Sequence, residues 1–361
     1  MITADPDGWL ERAFATKSAP AISAAIAGPE GIRWAGARGL AHLELRVQAD
    51  TENRFPIGSI SKVVTATLAA RLALRGELDL DAHISAVMPK LPARHRNTTL
   101  RQLLTHRGGI RHYSPAEIDL GNPEAPVFMR NYSSDEDVLA LFVDDPLVAP
   151  PGTEVHYSSY GYSLASMAIA AVSDRSFLEL IEAEIAGPFD LPSLQPDDPW
   201  RISPRRAGRY INDLDLNLLA ASLADEEKPK LIDGWANLPF HNPGYCWAGA
   251  GFVMTPSDTA RFGAAMIDSP GSHLTAAERD LLFTPVTEPA EASPSLGLGW
   301  RIDSDMSGRR RWHHAGATPG GCQLLVVYPD EELSVAIAAN VMTVKSNLLQ
   351  NASDLIDLIA A

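Results

Sequence analysis

A serine and a lysine three residues apart, Ser59 and Lys62, stand at the start of a strongly helix-forming segment, residues 63–74. Gly58 interrupts the chain just before it, so the sequence predicts that Ser59 lies in the first turn of the helix. Residues i and i+3 of a helix share one face, and the two side chains can meet there. The first turn also presents unpaired backbone N–H groups and the positive end of the helix dipole. Together these are the parts that acyl transfer requires.

The Ser-x-x-Lys spacing is a pattern of serine acylation, but a chain of this length contains about one such spacing by chance. Lysine is rare here: six of the 30 basic residues are lysines and the other 24 are arginines. Of the six, only Lys62 has a serine three residues before it. The simpler interpretation is a serine at a helix N-cap beside an exposed lysine. Other parts of the sequence are needed to distinguish a catalytic pair from an N-cap serine.

The composition is that of a globular protein, with 45% hydrophobic and 21% charged residues. A chain of 361 residues can bury a large core and is expected to divide into two lobes. The net charge of −15 argues against nucleic acid or a membrane as partner, because nucleic acid and anionic lipid would repel it. The sequence has no signal-peptide pattern and no run of 18 apolar residues. We therefore expect a cytoplasmic protein, or a periplasmic or secreted one if a leader was removed.

The two cysteines, Cys246 and Cys322, match neither a metal-ligand spacing nor a disulfide framework. We expect two reduced thiols, although a single bridge between them is compatible with the sequence. His106 and His112 lack a third ligand at metal-site spacing. We predict no metal and no cofactor.

Apolar periodicity changes along the chain and predicts its organisation. Two strands are expected near the N-terminus, at residues 21–27 and 32–38, whereas the middle of the chain indicates helices and long polar loops. Five more strands are expected after Tyr245, at residues 250–254, 298–302, 310–314, 323–328 and 333–339. We therefore predict that residues 1–77 and 236–361 form one α/β lobe and that residues 78–235 form an inserted helical lobe.

Residues 151–162 combine a Pro-Gly turn with a cluster of tyrosines and serines ahead of an expected helix. A tyrosine is protonated at neutral pH in water, but a cationic neighbour favours its phenolate, which can act as a base. For Tyr160 and Tyr162 we prefer ordinary aromatic packing with the hydroxyls at the surface. A further polar run, residues 312–317 (WHHAGA), ends a predicted strand.

Together these segments resemble the serine β-lactamase-like family, which includes relatives of class C β-lactamases, D,D-peptidases and their esterase relatives. The likeness covers about residues 22–339, and its motifs occur in one order. They are residues 55–62, 100–110 (LRQLLTHRGGI), 151–162, 248–262 (AGAGFVMTPSDTARF), 297–300 (GLGW) and 314–320 (HAGATPG). The runs at 109–113, 145–147 and 157–159 are most similar to those of the mitochondrial β-lactamase-like serine proteases and their bacterial relatives.

The resemblance implies a β-lactamase/transpeptidase-like α+β fold, with an antiparallel sheet flanked by helices and an inserted, mainly helical lobe. It also implies a covalent acyl-enzyme on Ser59, with Lys62 and Tyr157 sharing the role of base. The backbone N–H groups of Ser59 and Ala317 would form the oxyanion hole. Because Lys62 and Tyr157 would titrate as a coupled pair, the holder of the proton stays open.

Two positions expected to bind substrate depart from the family pattern. Ser159 replaces the asparagine of Tyr-x-Asn, so a shorter hydroxyl stands in for the amide that orients the lysine and clamps a substrate amide. His314, two residues before Gly316, replaces the lysine of Lys-Thr-Gly, and a histidine is largely neutral above about pH 6.5. Both changes favour a small-molecule or peptide substrate with an ester or amide bond over efficient β-lactam hydrolysis.

Two other interpretations remain open. Residues 161–165 nearly match the Gly-x-Ser-x-Gly nucleophile elbow of α/β-hydrolases, with alanine in the last glycine position, and would make Ser163 the nucleophile. Alternatively, the chain is a penicillin-binding or self-assembling scaffold with little turnover, because members of the mitochondrial subgroup polymerise. A homo-oligomer is compatible with either function.

Overall fold

The computed structural model describes residues 5–238, 240–270, 272–287 and 294–359. The strands are β1 (Ala21–Gly28), β2 (Gly31–His42), β3 (Val47–Gln48), β4 (Phe55–Pro56), β5 (Gln195–Pro196), β6 (Tyr210–Ile211), β7 (Ala236–Asn237), β8 (Phe252–Met254), β9 (Ser295–Leu296), β10 (Arg301–Ser304), β11 (Arg310–Thr318), β12 (Gly321–Tyr328) and β13 (Leu333–Ala339). The helices are α1 (Pro6–Ala15), α2 (Ser61–Leu74), α3 (Leu100–Leu104), α4 (Pro115–Ile118), α5 (Asp135–Leu139), α6 (Ser159–Ser173), α7 (Phe177–Ile181), α8 (Asp213–Leu219), α9 (Trp247–Ala250), α10 (Pro256–Ala264), α11 (Ala276–Phe283) and α12 (Leu348–Ile359).

An eight-stranded sheet, in the order β3-β2-β1-β13-β12-β11-β10-β9, forms the centre of the fold. Every neighbouring pair in it is antiparallel. Its strands come from the two ends of the chain, because β1 pairs with β13 and sets Ala24 opposite Ile337. The predicted antiparallel sheet, which joins the N-terminal hairpin to the C-terminal strands, is therefore confirmed.

Helices cover both faces of this sheet at β1, which is buried along its whole length. Alternate residues of a strand point to opposite faces. On one face Ala24 and Ile26 share a core with residues of α1 and α12. On the other, Ala25 and Ala27 pack against Ala260 of α10. Small side chains on this second face let α10 lie close to the sheet.

Helix α2 is buried almost throughout and packs against α9 and α11. A helix surrounded by protein on every side needs side chains without unpaired polar groups around its whole circumference. The run from Val63 to Ala70 provides them, because six of its residues are apolar and the hydroxyls of Thr65 and Thr67 donate to backbone carbonyl oxygens. The boundaries of the helical lobe near residues 78 and 235 stay a prediction. Among the helices described, none is long and apolar enough to cross a membrane.

Some predicted elements shift in the structure. The strand predicted at residues 298–302 begins at Arg301, because Gly299 adopts a left-handed backbone (φ 78°) that a strand cannot hold. In the middle of the chain, where helices were expected without exact bounds, α7 ends at Ile181 and continues as one π-helical turn. Cys246 and Cys322 are free and buried in separate cores, which confirms the expectation of two reduced thiols.

Asn340 joins three strands of the sheet from a fully buried position. Its Oδ1 accepts from the Ala21 N–H at 2.8 Å, and its Nδ2 donates to the Leu40 carbonyl oxygen at 3.2 Å. Replacing it by leucine removes both hydrogen bonds and leaves the buried Ala21 N–H without this partner, so Asn340→Leu should lower the free energy of unfolding by about 3 kcal/mol. Urea unfolding measures the loss. The exposed Asn237→Leu is the control and should stay close to wild type; equal losses would contradict this role of Asn340.

Candidate active site

Ser59 lies in a single 3-10 turn, Gly58–Ile60, that leads directly into α2. Lys62 is in the first turn of α2, and its Nζ is 3.0 Å from Ser59 Oγ. Ser59 is half-buried, whereas Lys62 is fully buried. The interpretation of an N-cap serine beside an exposed lysine is therefore wrong.

Three oxygen atoms surround Lys62 Nζ. Besides Ser59 Oγ they are Ser159 Oγ, at 3.1 Å, and the Gly249 carbonyl oxygen, at 2.7 Å. A lysine ammonium has three hydrogens and no acceptor site, so three acceptors match its charged form. Gly249 can accept because it lies in the one-turn helix α9, whose last carbonyl groups lack partners within the helix.

Tyr157 approaches Ser59 from the irregular segment that leads into α6. Its hydroxyl is 2.8 Å from Ser59 Oγ, and Lys62 Nζ is 4.8 Å from the centre of its ring. Ser59 Oγ thus contacts an ammonium and a phenol at once. A neighbouring cation favours the phenolate form of a tyrosine, and a phenolate can accept the proton of a serine hydroxyl.

Strand β11 packs against the Ser59 turn at two glycines. A methyl carbon on Gly316 would lie 1.8 Å from the Ile57 carbonyl oxygen and 2.7 Å from Ser59 N. One on Gly58, whose φ is 48°, would lie 2.5 Å from Ala317 N. Only residues without a side chain allow this approach, which brings the backbone N–H groups of Ser59 and Ala317 to neighbouring positions. These are the two predicted donors of the oxyanion hole.

Two histidines hold the segment that carries Tyr157. Ser158 N–H donates to His106 Nδ1 at 3.2 Å, and Ser159 N–H donates to His112 Nδ1 at 3.1 Å. The His106 ring lies 4.4 Å from the Tyr157 ring, centre to centre. Because Nδ1 accepts, each imidazole is neutral and carries its proton on Nε2.

Burial keeps both histidines neutral. Burial and then the charge of Lys62 lower the pKa of His106 well below its usual value, and the same two causes lower the pKa of His112 to about 4. From the sequence the pair could be considered only as metal ligands. Their role as hydrogen-bond acceptors depends on contacts with residues that are 47 or more positions away along the chain. The sequence feature that could have drawn attention to these two histidines is their position on either side of the Gly-Gly pair in the motif LRQLLTHRGGI.

His314 lies on β11 and is 2% exposed. Its Nδ1 donates to the Ala315 carbonyl oxygen at 2.7 Å, which leaves Nε2 as an acceptor. Burial lowers the pKa of His314 well below its usual value, and the charges of Lys62 and Arg301 add to this effect. His314 therefore stays neutral below pH 6.5 as well, and it does not replace the cation of the family's lysine.

A cavity of about 370 Å³ opens beside Tyr157 and His314. Apolar side chains such as Val155 and Leu296 and the polar groups of Tyr157, His314 and Arg301 line it. No sequence pattern distinguishes Arg301, apart from its position directly after the GLGW run. Arg301 lines the cavity, and its charge contributes to lowering the pKa of His106 and His314. In the described ranges, no three acidic, histidine or cysteine side chains are placed to hold a metal ion.

Helix α6 crosses the core, which corrects two expectations. The hydroxyls of Tyr160 and Tyr162 are buried rather than at the surface, and they donate to Glu117 Oε1 and to the Leu104 carbonyl oxygen. Ser163 lies inside α6, is 2% exposed and donates to a backbone carbonyl oxygen. A nucleophile elbow needs an exposed serine at a strand-to-helix turn, so the α/β-hydrolase interpretation is wrong.

We predict that the protein loses stability as the pH falls from about 6.5 to about 4. The unfolded chain binds a proton at His112 near its ordinary pKa of about 6.5, whereas the folded chain binds it only near a pKa of about 4. The unfolded state therefore gains protons first, which costs the folded state about 3 kcal/mol at 1.36 kcal/mol per pH unit.

His112→Asn keeps a side-chain acceptor for Ser159 N–H but does not titrate, so it should reduce the slope of this part of the stability profile by the contribution of one proton, while His106 and His314 keep theirs. Urea unfolding across this pH range gives the slope. The control is His156→Asn at a more exposed histidine, which should keep the wild-type slope. A wild-type slope in His112→Asn would show that His112 is not the group that titrates.

Comparison with known proteins identifies relatives of this chain. The Beta-lactamase family model matches residues 7–356. The human mitochondrial serine β-lactamase-like protein LACTB is 23% identical, over 82% of this chain and 66% of its own length. Penicillin-binding protein 4 of Amycolatopsis lactamdurans is 25% identical, over 84% of this chain and 76% of its own length.

A solved structure shares the fold. The D-amino acid amidase of Ochrobactrum anthropi SV3, in complex with L-phenylalanine amide, superposes with a TM-score of 0.80 over 98% of this chain and 97% of its own, at 19% identity. The predicted β-lactamase/transpeptidase-like fold is therefore confirmed. Since the family model matches nearly the whole sequence, the chain belongs to the β-lactamase family.

Proposed function

We propose that the protein is a serine hydrolase that cleaves an ester or amide bond through an acyl-enzyme on Ser59. One observation carries the proposal: Ser59 Oγ lies within hydrogen-bond distance of both Lys62 Nζ, at 3.0 Å, and the Tyr157 hydroxyl, at 2.8 Å. A nucleophile, a base and a cation that favours the ionised base thus meet at one oxygen atom.

In the acylation step Tyr157 acts as the base. As a phenolate, favoured by the charge of Lys62, it takes the proton of the Ser59 hydroxyl while Ser59 Oγ bonds to the substrate carbonyl carbon. The carbonyl electron pair moves onto oxygen, where the N–H groups of Ser59 and Ala317 stabilise the negative charge. The bond to the leaving group then breaks, and the departing alcohol or amine takes the proton from Tyr157.

Deacylation repeats the same proton path with water. Tyr157 takes a proton from the water, whose oxygen attacks the acyl carbon of Ser59. The tetrahedral intermediate collapses, Ser59 Oγ recovers the proton from Tyr157, and the acid leaves. In this route the proton passes between oxygen atoms only.

Two residues of the cleft influence which substrates the protein prefers. Ser159 Oγ accepts from Lys62 Nζ and so helps to hold the lysine, as the family's asparagine would. Neutral His314 gives the cleft an acceptor where the family has a lysine. Both features favour ester or peptide-like amide substrates over efficient β-lactam hydrolysis. Assembly into a homo-oligomer stays a prediction from the sequence.

The nucleophile can be tested by covalent labelling. A fluorophosphonate should add one mass increment to the wild-type protein and none to Ser59→Ala, because the label bonds to the activated Oγ. Ser163→Ala is the control and should label like the wild type. An activated p-nitrophenyl ester should then give a burst followed by steady turnover. A burst without turnover would favour the low-activity scaffold, and labelling of Ser59→Ala would refute the nucleophile.

Arg301 should favour substrates with an anionic group, since its charge lies near the cleft. We expect Arg301→Ala to lower kcat/KM for a carboxylate-bearing ester about tenfold relative to a neutral ester with the same acyl group, as for one lost charge-assisted hydrogen bond. The ratio of the two kcat/KM values cancels general damage to the site. Arg301→Lys, which keeps the charge, should restore most of the preference. An equal loss with both esters would mean that Arg301 is structural.

A further inference from the structure

A second cavity has a volume of about 860 Å³. It shares no lining residue with the 370 Å³ cavity beside Tyr157 and His314, which we call the Ser59 cleft. Its lining contains three arginines and two histidines, which are Arg205, Arg206, Arg209, His42 and His241. This concentration of basic groups stands out on a chain whose net charge is −15. The proposed hydrolysis uses none of these residues.

The carboxylates around this cavity only partly compensate the basic groups. At its rim Arg205 pairs with Asp50 at 2.6 Å. Beneath it, the buried Asp197 pairs with Arg209 and lies 3.7 Å from Arg206 Nε, beyond hydrogen-bond distance. Asp197 therefore serves two guanidinium groups and bonds directly to one of them.

Arg206 is a guanidinium group whose lost hydration is not fully replaced. Burial lowers its pKa, and the attraction of Asp197 and Asp198, partly cancelled by Arg209 and Arg54, does not make up for this. An anion beside the guanidinium group would supply the missing compensation.

Two buried nitrogen atoms at this cavity lack a hydrogen-bond partner among the described residues. They are Arg206 Nε and Nδ1 of His241, a residue that is 5% exposed. Asp197 Oδ2 is 3.7 Å from His241 Nδ1, which is too far for a hydrogen bond. A buried polar atom without a partner is costly, so both nitrogen atoms are expected contact points for a ligand.

We propose that this cavity binds a small organic oxyanion, a phosphate or carboxylate compound, through Arg205, Arg206 and His241. Guanidinium groups present paired N–H donors that match the oxygen atoms of both anions. Leu238 and Phe240 form an apolar part of the lining that suits the organic portion of such a ligand. The volume is that of a small-molecule site, and the net charge of the chain disfavours a polyanion such as nucleic acid.

The first probe is inorganic phosphate, followed by phosphorus NMR and by the thermal unfolding temperature at constant ionic strength. We expect saturable binding with a millimolar Kd. Phenyl phosphate and benzoate then compare the two anion chemistries on the same ring, and the tighter of the two identifies the natural class. Saturable binding by none of the three would overturn the proposal.

Matched variants locate the site. Arg206→Met removes one guanidinium group while Arg209 still pairs with Asp197, and it should weaken binding at least tenfold. Arg205→Ala should weaken it severalfold and serves as the test if Arg206→Met does not fold. Its control, Arg310→Ala, removes an equally exposed arginine that pairs with Asp330 elsewhere, and should bind like the wild type.

Arg301→Ala separates the two cavities. Phosphate binding should persist in it, because Arg301 lines the Ser59 cleft and not the second cavity. Loss of binding in Arg301→Ala with retention in Arg205→Ala would place the anion in the cleft and overturn the proposal. If Arg205→Ala and Arg310→Ala weaken phosphate binding equally, the binding depends only on general surface charge, and this result would also overturn the proposal.

Discussion

The site depends on a single buried charge, the ammonium group of Lys62. A cation without water is tolerated only where hydrogen-bond acceptors replace its hydration. Three separate elements supply these acceptors: the turn that carries Ser59, the start of α6 at Ser159, and the end of α9 at Gly249. The need to satisfy this one group therefore fixes the turn and two helices around a common point.

The same charge sets the protonation of its surroundings. Together with burial it lowers the pKa of His106, His112 and His314, so the imidazoles near it stay neutral and serve as acceptors or donors with fixed tautomers. Lys62 therefore lies among neutral imidazoles, and one of them, His314, stands where the family motif has a second lysine. This difference is why we favour ester and amide substrates, and why Arg301 in the lining of the cleft is the group expected to favour anionic ones.

Close packing of β11 supplies the other constraint. Gly58 and Gly316 let the backbone of the Ser59 turn touch a strand from the opposite end of the chain. That strand can be there because β1 pairs with β13 and carries the C-terminal strands into one sheet with the N-terminal hairpin. The sheet is thus the support on which the two backbone N–H groups are brought together.

The sequence by itself determined the local part of this arrangement. Ser59 and Lys62 are three residues apart at a helix start, so their contact follows from helical geometry alone. Alternation and glycine positions likewise predicted the strands, and the order of motifs predicted the fold. Tyr157, Ser159 and His314 could be placed near Ser59 only through the family resemblance, because periodicity carries no information about contacts between distant segments.

Only the tertiary structure decided the rest. Gly249 meets Lys62 across 187 residues, and His106 and His112 become acceptors only where α6 begins. The burial of Tyr160 and Tyr162 likewise follows from the passage of α6 through the core. Burial also moved the pKa of His314 away from the value that the residue type suggests. Charge, burial and hydrogen-bond partners are properties of the packed environment, and residue type sets only the values from which packing shifts them.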